Sequence, residues 1–309
     1  MGSFTMNIII YQAGFIGDIL VCGQNFALGL IDKYPNSKID IVIQKKVAHV
    51  EEIIRPLDIF NKIILGSRSD YENLKKQYDK HFLIDEFIYP DGHLRTPFLK
   101  AGIPFDIYPL KIVISQKHKQ VADMIFGDSD EKTIVMQHDM DRKWPKEKVE
   151  KLKQKLRKKV RILTVGPDVI LPGFDKPLSF LESVALISRV DCFVGIDSGI
   201  AHGAALSGTQ TILIPPIHPE SWISPTEYAN RNRKEKKHIS IRPEPDEFCG
   251  HYFCLKPDKK GRTHPPHGNP IETKCSFFKQ FLFFKTESCF NKISVDKFYK
   301  TVIKEVYKK

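Results

Sequence analysis

Three absences in this sequence of 309 residues narrow its class before any motif is considered. No window approaches the roughly 18 consecutive apolar residues of a membrane span, which argues against an integral membrane protein. There is no low-complexity tract, and hydrophobic residues at 41% with charged residues at 28% lie near globular averages, which excludes a disordered chain. Six cysteines are too few for a disulfide scaffold of this length, so we expect reduced thiols or metal ligands.

A targeting signal is also missing from the first ten residues, MGSFTMNIII. They contain no basic region followed by a long apolar stretch, and Met6 stands where a myristoylation signal requires Ser or Thr. We therefore expect a cytoplasmic protein.

What the sequence has in excess is positive charge. Lys and Arg number 48 against 37 Asp and Glu, a formal net charge of +11. This excess favours an anionic partner such as phosphate groups, nucleic acid or an acidic membrane surface, without choosing among them.

Short β-branched runs alternate with helix-length segments along most of the chain, which predicts a parallel α/β fold. A polar stretch at 127–132 separates two such series, so we place a boundary near residue 130, giving domains 1–130 and 131–309. The predicted strands of the first domain are 7–11, 39–43, 62–65 and 111–115, with a helix over 18–34. Those of the second domain are 133–137, 160–165, 191–196, 210–214 and 237–241.

Residues 142–161 form a basic segment with eleven Lys or Arg against two Glu. Val149, Leu152 and Leu156 recur at helical spacing, so we predict a helix with one apolar face. The basic remainder either docks on anionic lipid or nucleic acid or, as is commoner for such runs, is a solvated face.

The last part of the chain changes character twice. Residues 245–290 are rich in Pro, His, Gly, Cys and aromatic residues without clear periodicity, so we expect an irregular segment. Residues 294–309 predict an amphipathic C-terminal helix, which we expect to pack across the two domains.

The segment 194–205 runs from an apolar strand through a small-residue turn into a helix. Ser198 suits the N-cap, Gly199 allows close backbone approach, and the free N–H groups of the first helical turn favour a pyrophosphate. Asp197, at the carboxyl end of the strand, could hold sugar hydroxyls. The alternative is an ordinary strand-to-helix turn with a capping Ser.

A second glycine-containing turn follows the first predicted strand, with Gly14, Gly17 and Asp18. It lacks the first glycine of a dinucleotide fingerprint, and an Asp at a helix start would repel a phosphate. The acid therefore argues against NAD and for a carboxylate base. The alternative is that Asp18 only interacts favourably with the helix dipole.

Taken together, several short motifs in the same order resemble glycosyltransferase family 9, the ADP-heptose heptosyltransferases. The resemblance covers most of the chain. The motifs are GDIL at 17–20, AL at 27–28, YPNSKID at 34–40, RKWP at 142–145, LSFLE at 178–182, DSGIAH at 197–202 and CFNKIS at 289–294.

The resemblance implies a GT-B fold: two Rossmann-like domains facing a cleft, with the acceptor on the N-terminal domain and the nucleotide-sugar donor on the C-terminal domain. It implies inverting transfer with Asp18 as the general base. No cofactor is required, because the diphosphate leaving group is stabilised by backbone N–H groups and a cation. The implied donor-binding residues are Arg142, Lys143, Asp197, Ser198, Gly199, Ile200 and His202, and the implied loop glycines are Gly14 and Gly17.

Within this resemblance, Asp197 contacts the transferred sugar and His202 supports the loop rather than transferring protons. Two positions depart from the family pattern. Residues 167–177 lead almost directly to Leu178, where family members have a helix of some twenty residues, so the nucleotide side is abbreviated. Residues 22–24 (CGQ) replace a proline that is usual in the first helix.

Four of the six cysteines lie in the final part of the chain, at Cys249, Cys254, Cys275 and Cys289. Their spacing lacks the paired C-x2-C of zinc ribbons, so two interpretations stay open: a structural zinc or iron site, and buried reduced thiols. Some relatives that glycosylate autotransporter proteins carry a Cys-bound iron in a comparable place, whereas others have the cysteines without a known metal, so the resemblance does not decide between the two interpretations. Cys22 and Cys192 we expect in the core.

The sequence thus predicts an inverting glycosyltransferase that moves a heptose from ADP-heptose to a lipopolysaccharide or other surface glycan, in the cytoplasm or peripherally at the inner face of the membrane. Its basic face would meet anionic lipid. One alternative is a related enzyme with a protein acceptor, and another is a family-like protein that binds donor without turnover. A nucleic-acid-associated basic protein is the third, disfavoured because no known nucleic-acid-binding module shows its residues.

Overall fold

The computed structural model describes residues 5–84, 92–127, 130–142, 144–214, 228–229, 237–241 and 292–308. These residues form two compact units, one extending to Val113 and the other beginning at Ile114. Each unit contains one parallel sheet with helices between its strands, so the predicted α/β class is confirmed. Within the described ranges, no helix combines the length and apolar character that crossing a bilayer requires.

The first unit has a four-stranded sheet in the order β3-β2-β1-β4, with every pair parallel. Its strands are β1 (Asn7–Gln12), β2 (Lys38–Ile43), β3 (Lys62–Leu65) and β4 (Lys80–Ile84). Its helices are α1 (Ile16–Asp18), α2 (Gln24–Lys33), α3 (Val50–Ile54), α4 (Arg68–Leu74) and α5 (Gly92–Ala101), with 3₁₀ turns at Lys45–Val47, Arg55–Leu57 and Lys75–Gln77.

Alternation along β1 places apolar side chains on both faces of this sheet. Ile8 and Ile10 pack with Phe26 of α2, whereas Ile9 packs with Tyr71 of α4 on the opposite face. A central parallel strand is therefore buried on both sides, which is why it reads as a continuous apolar run.

The predicted first helix is present but is not a regular α-helix. Between α1 and α2 the residues Ile19–Gly23 form a π-helical turn, in which the backbone N–H of Gln24 donates to the Ile19 carbonyl. π-Turns are rare and recur at functional sites. This one directly follows Asp18 and includes the CG of the CGQ sequence that departs from the family pattern.

The prediction of a strand at 111–115 is wrong. The backbone N–H and C=O of Lys111 both bond to the side chain of Gln24, at 2.6 and 2.9 Å, and Asn25 likewise binds the backbone at Asp106 and Tyr108. Two buried amide side chains on α2 therefore satisfy the backbone groups that a sheet would otherwise have paired. The fourth strand is β4, which sequence reasoning missed because only Ile84 of its five residues is fully buried.

The second unit has a five-stranded parallel sheet in the order β6-β5-β7-β8-β9. Its strands are β5 (Thr133–Gln137), β6 (Arg161–Val165), β7 (Cys192–Ile196), β8 (Thr211–Ile214) and β9 (His238–Ser240), all of them predicted to within a residue or two. Its helices are α6 (Gln116–Phe126), α7 (Lys146–Leu156), α8 (Phe180–Ile187), α9 (Gly199–Leu206) and α10 (Val295–Val306), with a 3₁₀ segment at His138–Arg142.

Helices cover both faces of this second sheet. Ile134 of β5 faces a core formed with α7 and α10, and Val135 faces another formed with α6, α8 and α9. The predicted apolar face of α7 is confirmed, since Val149, Leu152 and Leu156 are all buried. Helix α10 is also confirmed, but its buried residues pack on α7 and β7 of the second unit rather than across the domains.

The two units divide earlier than the predicted boundary near residue 130. Helix α6 precedes that position but packs on α8, and Ala122 and Phe126 enter the second core. The polar stretch at 127–132 is therefore a connection from α6 to β5 inside the second unit.

Candidate functional site

In both units the predicted site residues lie where strands end. Carboxyl ends of parallel strands are the usual binding edge of an open α/β sheet, because loops and helix N-termini meet there. Asp18 follows β1 of the first unit, and Asp197 directly follows β7 of the second.

Asp18 is held by the turn that precedes it. It ends α1, and its carboxylate accepts a hydrogen bond from the backbone N–H of Phe15 at 2.8 Å. Gly14 adopts φ +110°, and a Cβ built there would lie 2.5 Å from the Asp18 Oδ2 atom. Position 14 therefore needs glycine for its backbone conformation and for the space that the carboxylate occupies. Gly17 is buried within α1.

Asp18 is partly buried, between the exposed Phe15 and the buried Cys22. Phe15 is 68% exposed, and the ammonium group of Lys46 lies 5.4 Å from its ring centroid. On the inner side, burial and the Asp18 charge both raise the pKa of the Cys22 thiol. Cys22 therefore stays protonated, and it is a buried core residue as expected.

Gln12 is a residue of this region that sequence reasoning missed. It is buried at the end of β1, and its amide donates to the carbonyls of Ala13 at 2.7 Å and Ile84 at 3.3 Å. These bonds fix the start of the Gly14 turn to the end of β4. The sequence signal for Gln12 was its position: an amide side chain at the end of an otherwise apolar run.

In the second unit, Ser198 is the N-cap of α9, as predicted. Its hydroxyl accepts from the Ala201 N–H at 3.4 Å. Gly199 and Ile200 then begin the helix, and first-turn N–H groups such as theirs have no acceptor within their own helix. The N-terminus of α9 therefore has the backbone N–H groups that bind anions at helix starts.

Gln137, the last residue of β5, connects the turn before α9 to the neighbouring strand and was also missed. Its buried amide oxygen accepts from the Ile196 N–H at 3.2 Å and from the Ser198 hydroxyl at 3.1 Å. Its amide nitrogen donates to Asp139 at 2.7 Å. A Cβ at Gly195 would lie 2.7 Å from the same amide oxygen, so a larger residue there would displace the Gln137 side chain.

Asp197 and His202 lie together at this turn. The Asp197 Oδ1 atom is 3.7 Å from the His202 Nε2 atom, and the His202 Nδ1 atom is 2.9 Å from the Tyr228 hydroxyl. Burial lowers the pKa of His202 to about 4, so its ring is neutral at physiological pH. A buried neutral imidazole supports the loop and is a poor proton donor.

The predicted basic pair precedes a buried tryptophan. Arg142 ends the 3₁₀ segment, but its side chain and the whole of Lys143 lie outside the described part of the chain. Trp144 is buried, stacks on Phe298 of α10 at 5.3 Å and donates to the Ile293 carbonyl at 3.3 Å. The tryptophan thus anchors the segment that carries the two cations.

The connection from β6 to α8 is short, as predicted. Residues 166–179 are described throughout and contain no helix. Helix α8 begins with a reciprocal cap, in which Ser179 accepts from the Glu182 N–H and the Ser179 N–H donates to Glu182 at 2.7 Å. Burial opposes ionisation of Glu182, but the two bonds from Ser179 outweigh it and lower its pKa.

The four candidate metal ligands Cys249, Cys254, Cys275 and Cys289 all lie outside the described residues. Among the residues that are described, no group of three or more His, Cys, Asp or Glu side chains is arranged to hold a metal ion. Cys192 is buried in the second core, as expected.

No family model and no curated protein matches this sequence. Solved structures do match. A family 9 glycosyl transferase from Veillonella parvula superposes with a TM-score of 0.65 over 98% of both chains at 13% identity. The chain has the fold of this glycosyltransferase.

Two heptosyltransferases share this fold. The iron-containing, dodecameric TibC of enterotoxigenic E. coli, solved with ADP-D-beta-D-heptose, matches with a TM-score of 0.62 over 97% of this chain and 77% of its own, at 12% identity. The E. coli ADP-heptose lipopolysaccharide heptosyltransferase II matches with a TM-score of 0.50 over 77% of this chain and 91% of its own, at 17% identity. The GT-B fold implied by the motifs is therefore confirmed.

Proposed function

We propose that this protein is an inverting glycosyltransferase that uses a nucleotide-diphosphate sugar. One observation carries the proposal: on this fold, the first sheet ends at a carboxylate held by its own turn, and the second ends at Asp197 beside the capped start of α9. The first group suits a general base, and the second suits a diphosphate attached to a sugar.

The reaction follows from these roles. The acceptor hydroxyl oxygen forms a bond to the anomeric carbon while the bond from that carbon to the diphosphate oxygen breaks. Asp18 takes the hydroxyl proton, and the nucleoside diphosphate leaves with the electron pair. The N–H groups of Ser198, Gly199 and Ile200, with Arg142 and Lys143, stabilise the charge that develops on the diphosphate, so catalysis requires no cofactor.

We propose ADP-heptose as the donor and a lipopolysaccharide or other surface glycan as the acceptor. The order of the motifs supports this choice, and so do the names of the two heptosyltransferases that share the fold. Transfer to a protein acceptor is the alternative. The four cysteines of residues 245–290 are proposed to hold a structural zinc or iron, which the iron of TibC supports.

A basic surface on the second unit supports peripheral contact with an anionic membrane at its cytoplasmic face. Helices α7 and α10 pack on one another through their apolar residues, so their outward faces lie side by side. The exposed cations of this surface are Lys146, Lys151, Lys155, Arg157, Lys158, Lys159, Lys297, Lys300, Lys304 and Lys308. Replacing Lys297, Lys300 and Lys304 by Gln should weaken co-sedimentation with phosphatidylglycerol vesicles and leave that with phosphatidylcholine vesicles unchanged.

A thermal-shift titration tests the proposed donor, because a ligand that binds only the folded state raises the melting temperature. ADP should stabilise the protein more than UDP, GDP or a short DNA duplex, and ADP-heptose should stabilise it further. Asp197→Ala should lose the extra stabilisation by ADP-heptose and keep the response to ADP.

Asp191→Ala is the matched control, because Asp191 precedes β7 and Asp197 follows it. Asp191 caps the start of β5 through Thr133, so this variant should melt earlier but keep both ligand responses. Selectivity for UDP or GDP would support a glycosyltransferase with a different nucleotide-sugar donor. Stabilisation by DNA alone would reject the enzyme in favour of a nucleic-acid-associated protein.

A further inference from the structure

Tyr228 is a buried residue next to the second-unit site to which neither the motifs nor the proposed reaction assigns a role. Its hydroxyl lies 2.9 Å from the His202 Nδ1 atom, and the two rings are nearly parallel, with centroids 5.8 Å apart and planes at 27°. Both side chains are buried. Tyr228 thus contacts His202 through its hydroxyl at Nδ1, and its ring is held nearly parallel to the imidazole.

The neighbours of His202 select one tautomer. The ring is neutral, because burial lowers its pKa to about 4, so it carries a single N–H. On the Nε2 side lies the Asp197 carboxylate, which can only accept, and on the Nδ1 side lies a hydroxyl, which can donate. The arrangement that suits both places the proton on Nε2 and leaves Nδ1 as an acceptor.

We propose that Tyr228 is a positioning residue for the donor sugar: its hydroxyl donates to His202 Nδ1 and so directs the Nε2 proton at the Asp197 carboxylate. The inference rests on the proposed function, in which Asp197 binds a hydroxyl of the transferred sugar. The Asp197 side chain is 19% exposed although its Oδ1 atom is buried, so the exposed surface belongs to its other atoms. His202 restrains the buried edge of the carboxylate, and a sugar hydroxyl meets the remainder.

This chain of contacts lowers the cost of binding. An unrestrained Asp at a strand end samples several rotamers, and a ligand that needs one of them pays for ordering it. An Nε2–H 3.7 Å from one oxygen is beyond hydrogen-bonding distance but attracts that oxygen electrostatically, which biases the carboxylate toward a single orientation before the sugar arrives. Tyr228 acts only through His202, so its removal should affect sugar binding and leave binding of the diphosphate to α9 intact.

The first test is the tautomer itself, which needs no substrate. The ring nitrogens of His202 can be observed by ¹⁵N NMR in protein labelled at its eleven histidines, with His202→Gln used for assignment. We expect the proton on Nε2 and a hydrogen-bonded Nδ1, and we expect the Nδ1 resonance to move toward its unbonded position in Tyr228→Phe. A proton found on Nδ1 in the wild type would overturn the proposal.

The second test compares ligands in Tyr228→Phe, which keeps the ring and removes the hydroxyl. Affinity for ADP-heptose, or KM for that donor, should weaken about two- to tenfold, as expected for one lost hydrogen bond, while affinity for ADP and kcat stay unchanged. Tyr307→Phe is the matched control, since its hydroxyl donates to the Lys159 carbonyl on the outer face of the same unit at 2.7 Å. It should change neither affinity.

The outcomes of these tests distinguish the role of Tyr228 from the proposed function of the protein. A wild-type protein that binds ADP-heptose, with Tyr228→Phe equally tight for it or equally weakened for ADP, would overturn the role of Tyr228 alone. A wild-type protein that binds no nucleotide sugar would overturn the proposed function and the sugar-positioning role with it.

Discussion

The carboxylates at the two sheet edges are held by different kinds of contact. Asp18 in the first unit is fixed by neighbours within four positions, the Phe15 N–H and the space left by Gly14. Asp197 in the second unit lies among distant residues, with Tyr228 reaching it through His202 and Gln137 binding the turn that carries it. In the proposed reaction the base is therefore set by a local turn, whereas the donor site depends on several elements being packed together.

The largest expected effect comes from removing the locally held carboxylate. Asp18→Asn keeps the shape of the turn but cannot take a proton, so kcat for sugar transfer should fall about 10²- to 10⁴-fold with nucleotide affinity unchanged. Asp70→Asn is the matched control, because Asp70 accepts the Ser67 N–H at 2.7 Å in the same geometry at the start of α4. Transfer kinetics and ADP titration measure both.

Equal loss of transfer in the two Asn variants would assign Asp18 a capping role only. Full activity in Asp18→Asn, with ADP-heptose still bound, would also contradict its role as the base. A wild-type protein that binds ADP-heptose but transfers no sugar would support the donor-binding alternative.

The next effect concerns the long-range site and depends on pH. His202 has a pKa of about 4 in the folded protein against an ordinary 6.5, so between these values the unfolded chain binds more protons than the folded one. The free energy of unfolding should therefore fall as pH is lowered through this window, by about 3 kcal/mol from this group. In His202→Gln, urea unfolding from pH 7 to pH 4 should show a correspondingly shallower decline. Parallel pH profiles for the two proteins would contradict a buried neutral His202.

Comparing two glycine variants distinguishes the effect of backbone strain from the effect of filling the space that Asp18 occupies. Gly14→Ala and Gly102→Ala both place alanine at positive φ, +110° and +60°. Gly102→Ala should cost about 1–2 kcal/mol of stability, and Gly14→Ala should cost more because +110° lies outside the left-handed region. Only at Gly14 would the new Cβ meet the Asp18 carboxylate, whereas nothing lies within 4 Å at Gly102. Transfer should therefore fall sharply only in Gly14→Ala. Similar kinetics in the two variants, compared where both are fully folded, would show that the turn does not set the base.

The smallest effect compares the caps of the two units. Ser67 and Ser198 each accept a backbone N–H at a helix start, so replacing either by Ala should lower the free energy of unfolding by about 1 kcal/mol. Ser198→Ala should also weaken ADP binding, because Gln137 loses a partner in the turn. Ser67→Ala should leave ADP binding unchanged. Calorimetric titration with ADP distinguishes the two, and equal affinities would remove α9 from the proposed diphosphate site.

The strands show which parts of the fold could be predicted from sequence patterns. Runs such as those of β1 and β5 are buried on both faces of a parallel sheet, so their composition alone predicts them. The run at 111–115 is similarly apolar, but it forms no strand because the Gln24 side chain occupies the backbone N–H and C=O of Lys111. Strand β4 is only partly buried and carries no such run, so its position depends on pairing with β1.

The same division holds for the site residues. Gly14, Asp18 and Ser198 act through neighbours three or four positions away, so a short motif was enough to find them. The glutamines that end β1 and β5 act on strands far away in the chain, and Tyr228 acts on a helix that begins 29 residues earlier.

By itself, then, the sequence determined the two alternating series of strands and helices, the basic surface, and the two turns that carry Asp18 and Asp197. Local hydrogen bonds and hydrophobic periodicity depend on residues close together in the chain. They therefore persist in any fold that keeps the strand and its turn together. Only the tertiary structure decided that α6 and α10 belong to the second unit, that Gln24 binds the segment at Lys111, and that Tyr228 meets His202. Those contacts arise when separate elements bury apolar surface against each other, which fixes distances that no short stretch of sequence contains.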